Sequence, residues 1–223
     1  MYYYLPSCQF TALLPETSRK WKEWFAGPGH VSPGGEEVTV AGCCRPTQKL
    51  LTEGDTVIAL CQTCMAITRE ASPQSRVVSL YEYILSVPDF PWPDFGGEEI
   101  TVQDCFRARN DRPQQLAVRE CLKRMNMVPV ELEENFEKTS FDGAWLMAPV
   151  AERNLAAAPV YFNDIKENYA RPLPEEEQER ILTEHAKQYR TGRVAAYCNA
   201  CLKGIKKGGA DGIHLAQLLA ENL

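Results

Sequence analysis

Short apolar runs alternate along the chain with longer stretches whose apolar residues return every three or four positions. Tyr2-Tyr3-Tyr4-Leu5, Val38-Thr39-Val40 and Val57-Ile58-Ala59-Leu60 are too short for helices and rich in β-branched or aromatic residues, so they predict strands. Between the first two, Ser18–Ala26 has helical spacing, and Trp21, Trp24 and Phe25 on one face of it predict core or interface contacts. The same succession recurs further on. Ile100-Thr101-Val102 predicts a strand, Arg112–Met127 a helix, Val128-Pro129-Val130-Glu131-Leu132 a strand, and Val194-Ala195-Ala196-Tyr197 another. Each part then closes with a turn, Ser72–Ser75 or Gly208–Asp211, and a stretch of helical spacing, Val78–Leu85 or Ile213–Ala220. A breaker-rich connector, Pro88–Gly97, separates the parts. The repeat predicts an α/β fold of two pseudo-symmetric, Rossmann-like βαβ halves with parallel sheets, 1–96 and 97–223, packed as one unit.

Charge narrows the function. The 223 residues carry a formal net charge of −6, which argues against nucleic acid as a partner, because that affinity rests on basic side chains. The most apolar stretch, Ala144–Ala151, holds a proline and falls far short of the roughly 20 residues a membrane span needs. The first residues show neither a positive segment nor an apolar one of signal-peptide type, so a cytoplasmic, reducing location is expected. Stable disulfides are uncommon there, yet the chain has 9 cysteines. Metal or redox chemistry is the better account of them.

Their arrangement is regular. Cys61-Gln62-Thr63-Cys64 and Cys198-Asn199-Ala200-Cys201 each follow a strand-type run and precede a helix-compatible stretch, Met65–Ala71 or Leu202–Lys207. A thiolate at a helix N-terminus is stabilised by unpaired N–H groups and by the helix dipole. Upstream of the first pair lie Cys8 and the adjacent Cys43 and Cys44. Upstream of the second lies Cys105, and Phe141-Asp142-Gly143 stands where the first half has its Cys-Cys pair. Five cysteines in one half exceed the four of a cubane cluster, and Arg45 beside the pair can offset their charge. Cys105, Cys198 and Cys201 are three soft ligands, with Asp142 the candidate fourth. Iron–sulfur, zinc and a metal-free dithiol at Cys198 and Cys201 all remain open on spacing alone.

Other chemistry is thinner. Cys121 sits among Leu116, Ala117 and Leu122 on a helix and predicts a core thiol. Asp104 and Arg107 flank Cys105 and could tune it. Lys203, Lys206 and Lys207 are either a solvated helix end or a docking patch for an acidic electron-transfer partner. His30, His185 and His214 have no motif beside them and predict surface or capping roles. No glycine-rich phosphate motif is present, which puts any flavin or nicotinamide on a partner.

A lone cysteine, a Cys-Cys pair and a CxxC, set out in two halves, resemble the cysteine-rich CCG domain found in the B subunit of heterodisulfide reductase and in related subunits of glycolate, lactate and succinate/fumarate redox enzymes. Gln103-Asp104-Cys105-Phe106-Arg107, Val118–Lys123 and the ending His214–Leu223 are similar to further stretches of that family. The resemblance implies an iron–sulfur redox protein with a noncubane [4Fe-4S] cluster on Cys8, Cys43, Cys44, Cys61 and Cys64. It also implies zinc as an alternative, or as the metal of a second site at Cys105, Cys198 and Cys201. A flavoprotein or ferredoxin-like partner would supply electrons to a small disulfide or thiol substrate, or to another two-electron acceptor. The competing expectations are a zinc-stabilised, non-catalytic binding module and a metal-free thiol–disulfide protein.

Overall fold

The computed structural model describes residues 1–27, 32, 35–42 and 44–223. The first half runs β1 (Tyr2–Leu5), α1 (Cys8–Leu13), α2 (Pro15–Ala26), β2 (Val38–Val40), α3 (Cys44–Thr47), β3 (Thr56–Ala59), α4 (Gln62–Ala71), β4 (Arg76–Ser79) and α5 (Leu80–Leu85). The second runs β5 (Glu98–Gln103), α6 (Arg112–Arg124), β6 (Met127–Glu131), α7 (Glu152–Leu155), α8 (Pro159–Asp164), α9 (Glu175–Ala186), β7 (Val194–Ala196), α10 (Asn199–Lys207), β8 (Gly212–His214) and α11 (Leu215–Leu219). Each half forms a four-stranded sheet, in the orders β2-β1-β3-β4 and β6-β5-β7-β8. Every pairing is parallel, with Tyr2 opposite Val38 and Thr56 in one sheet and Val102 opposite Ala195 in the other. The α/β architecture of two matching halves is therefore as expected. Pro129 lies on the edge strand β6, where a missing ladder N–H costs least.

Three boundaries differ from the periodicity. Val78–Leu85 and Ile213–Ala220 are not helical from their first residues: β4 and β8 come first, and helices begin only at Leu80 and Leu215. Ser79 starts α5 through a capping box with Glu82, and the His214 ring nitrogen Nδ1 accepts the Ala216 N–H at the start of α11. Strands this short add too few positions to alter the apolar spacing of the helix that follows. The third is the helix read through Met127, which stops at Arg124 because Asn126 takes a left-handed φ of 54° and turns the chain into β6.

One core joins the halves. Trp21 is fully buried, and its indole N–H donates to the Ala216 carbonyl at 2.8 Å, tying α2 to α11. The Trp21 ring also stacks on Phe90 of the connector at 6.0 Å, and Phe25 is buried beside it, as their shared helix face predicts. Cys121 is a core thiol, donating to the Tyr81 carbonyl across the α5–α6 contact. A second link is a strap formed by residues 144–173. It leaves the second half and lays Ala158 and Phe162 into the apolar cluster of Leu5, Met65 and Ile67. The Glu70 carboxylate accepts the Val160 and Tyr161 N–H groups at 2.8 Å each, capping the start of α8 from the other half.

Candidate metal and thiol site

Ligands in parallel α/β sheets collect beyond the carboxyl ends of the strands, and the cysteines lie there. Cys61 follows β3 and is the N-cap of α4. Cys198 follows β7 and is the N-cap of α10. Both have extended backbone and make no side-chain cap bond, so each thiol stands at the open N-terminus of its helix, with Cys64 or Cys201 three residues on. A hydrogen bond from the Cys64 thiol brings Cys61 down to about 6, helped by the Arg107 charge and opposed by burial. Cys198 is lowered in the same way, by bonds from Cys105 and Cys201 and again by Arg107. Their neighbours Cys64, Cys105 and Cys201 are raised, so one thiolate per half is favoured.

The second-half group is closed. The ligand atoms of Cys105, Asp142, Cys198 and Cys201 all lie within 4.8 Å of one another, and all four residues are buried. Asp142 Oδ1 stands 3.3 Å from the Cys105 sulfur and 3.8 Å from each of the other two. A tetrahedral zinc with Zn–S of about 2.3 Å and Zn–O of about 2.1 Å would have ligand–ligand edges of roughly 3.6–3.8 Å, close to these spacings. The set can hold a metal ion. Gly143 makes this possible: at φ +54°, it packs so tightly on the first turn of α10 that a Cβ would stand 2.1 Å from the Ala200 carbonyl oxygen. The Phe-Asp-Gly segment thus delivers a carboxylate where the first half has its cysteine pair. Burial pushes the Asp142 carboxyl up to about 7, against the pull of Arg107.

Arg107 joins the two centres. Its side chain is only 4% exposed and pairs with Asp142 at 2.8 Å. It also donates to the Cys198 sulfur at 3.1 Å and to Thr63 Oγ1, inside the first CxxC, at 2.7 Å. Its guanidinium lies 4.5 Å from the centre of the Trp145 ring, on the strap. Asp104, the other flanking charge, is turned away: it binds Arg119 at 2.6 Å and reaches Cys105 only through Tyr197, whose hydroxyl accepts the Cys105 N–H.

The first-half group is open. Cys8, Cys44, Cys61 and Cys64 all line one cavity of about 370 Å³, with Cys198 at its second-half wall. Cys44, Cys61 and Cys64 are buried and joined through Cys64, whereas Cys8 is exposed. Cys43 lies outside the described residues, as does His30. His214 is a buried helix cap, and His185 stacks on Phe141 with ring centres 4.3 Å apart. The lysines divide: Lys203 lines the cavity, while Lys207 pairs with Glu175 at 3.0 Å.

Sequence reasoning missed Thr63, Trp145, Arg153 and Asn154, which also line the cavity. Three of them belong to the strap, and nothing local signals that it folds back onto the other half. Among the described residues, no helix is long and apolar enough to cross a membrane. No family model matches the chain, and neither does any curated protein or solved structure.

Proposed function

We propose that the chain is an iron–sulfur redox protein of heterodisulfide-reductase-B type, with a cluster in the first half and a single zinc ion in the second. The observation that carries this reading is the convergence of Cys8, Cys44, Cys61 and Cys64, from three separate segments, on one cavity. The donor set fits: four thiolates complete an iron–sulfur cluster, and Cys43 is the fifth cysteine of the same sequence motif. When bound, such a cluster supplies electrons to an acceptor at the cavity. The chain's own residues prepare the place. Cys61 is favoured as a thiolate, Arg107 bridges the two halves beside it, and Trp145 of the strap lies against the Arg107 guanidinium at the cavity wall. The acceptor is a small disulfide or another two-electron acceptor, and a flavoprotein or ferredoxin-like partner in a reducing cytoplasm is the donor.

The Cys105, Asp142, Cys198 and Cys201 set also favours a second reading, a zinc-stabilised binding module without redox function. The metal-free dithiol has less support, because Cys201 is fully buried and closed to exchange partners. Iron, acid-labile sulfide and zinc per chain on anaerobically purified protein separate the readings. About four irons with matching sulfide, plus one zinc, support the proposal. Zinc without sulfide leaves only the binding module.

A further inference from the structure

Apart from its cysteines, the ionisable side chains of the cavity wall are all basic. Among the described residues, Arg45, Arg107, Arg153 and Lys203 line it and no carboxylate does. Arg107 is already committed to Asp142 and Cys198. Arg45 gives one amino group to the neutral Asn154 at 2.7 Å, and its Nε–H is buried without a partner. Asn199, 6% exposed, donates from its amide nitrogen to Ser7 over a long 3.5 Å, and its free Oδ1 is an acceptor that adds nothing to this basic lining. Arg153 on α7 and Lys203 on α10 are exposed at the solvent end, and neither forms an ion pair among the described residues. Buried donors without acceptors cost stability unless something arrives to accept from them.

We propose that the cavity binds a small organic dianion, with its two charges held by Arg153 and Lys203 at the mouth and by the free Nε–H of Arg45 further in. That the dianion is a substrate rests on the redox function proposed above; that the ligand is a dianion rests on the basic side chains of the cavity wall. A volume of about 370 Å³, part of which the proposed cluster would fill, is at the lower end for small-molecule sites, which span about 300–1,000 Å³, so the ligand is compact.

The test is calorimetric titration of the anaerobically purified chain with dithiodipropionate, with its uncharged diamide, and with octanedioate, the same dianion with carbons in place of sulfurs. Dithiodipropionate is expected to bind at least about tenfold more tightly than the diamide. Arg153→Gln and Lys203→Gln should each weaken it about tenfold, the size of one charge-assisted hydrogen bond, with iron and sulfide content unchanged. Octanedioate binding as well as dithiodipropionate marks a site for dicarboxylates at large, and weaker octanedioate binding marks one that also recognises sulfur; either supports the dianion. Equal binding of the diamide, no binding of either dianion, or variants with unchanged affinity would overturn it. Charge-dependent binding to a chain that holds no iron or sulfide would sink the redox reading and leave this site standing.

Discussion

The two halves share one topology and hold their cysteines in opposite ways. In the second half, four ligand atoms lie within 4.8 Å of one another, all buried, with a carboxylate locked in place by Gly143 and Arg107. In the first half, the corresponding thiols line an accessible cavity, and Cys8 is exposed. Structural metal sites are closed and reactive ones keep an open position. The difference arises from few changes: Phe141-Asp142 in place of a cysteine pair, and a strap that the first half lacks. On this account the second half is the scaffold and the first half the working site, and Arg107 carries the scaffold's charge to the working site.

Removing Arg107 is the most damaging way to break that relationship. Arg107→Met leaves Asp142 buried without its counterion, and such losses cost about 3–5 kcal/mol. The deficit, read from urea midpoints, should shrink when zinc is added, since a bound cation takes over the balancing of Asp142. An equal deficit with and without zinc would place the metal elsewhere.

The next largest effect is the acid sensitivity that His214 gives the second half. Burial holds His214 neutral down to about 4, whereas the unfolded chain takes up that proton near 6.5. Between those values the unfolded state binds more protons, so the His214 contribution to stability is full above about 6.5 and falls as the pH drops towards 4, by up to about 3 kcal/mol. Buried His185 acts in the same sense and Asp142, held at about 7, in the opposite one. His214→Asn keeps a cap at α11 and should flatten the slope of stability against pH. If the slope is unchanged, other groups carry the acid sensitivity.

Gly143→Ala is expected to cost about 1–3 kcal/mol by forcing the loop off α10. On the proposed reading it should empty the metal site of Cys105, Asp142, Cys198 and Cys201 and leave the first-half iron in place. Loss of both metals together would show that the sites are not separable.

How much of this was legible beforehand follows the range of the interactions. The CxxC motifs announce themselves because strand, cap and helix are contiguous, and both halves fold as that local pattern requires. Asp142 could be read as a stand-in ligand because it occupies a cysteine's place in the repeat. The strap could not: its anchor, Glu70 capping Val160 and Tyr161, spans about 90 residues and uses no recognisable motif. Arg107 was visible as a neighbour of Cys105, but its bond to Thr63 exists only once the halves pack. The edge strands β4 and β8 were hidden because their few apolar positions fit the helical spacing of α5 and α11 equally well.

The smallest effect compares the two capping thiols directly. In metal-free, reduced protein, iodoacetamide should modify Cys61 with a midpoint near 6, because the thiolate exists above its lowered value. Cys198, lowered too but less exposed than Cys61 and with its sulfur hydrogen-bonded by Arg107, should react more slowly at every pH. Peptide mapping after timed quenching reads both. Faster labelling of Cys198 would reverse the assignment of open and closed sites.

The most direct test of the central claim is metal content of the wild type beside Cys61→Ser and Cys201→Ser, all purified without air. The account predicts that Cys61→Ser loses iron and sulfide but keeps zinc, and that Cys201→Ser loses zinc but keeps iron. Iron that survives Cys61→Ser would contradict it.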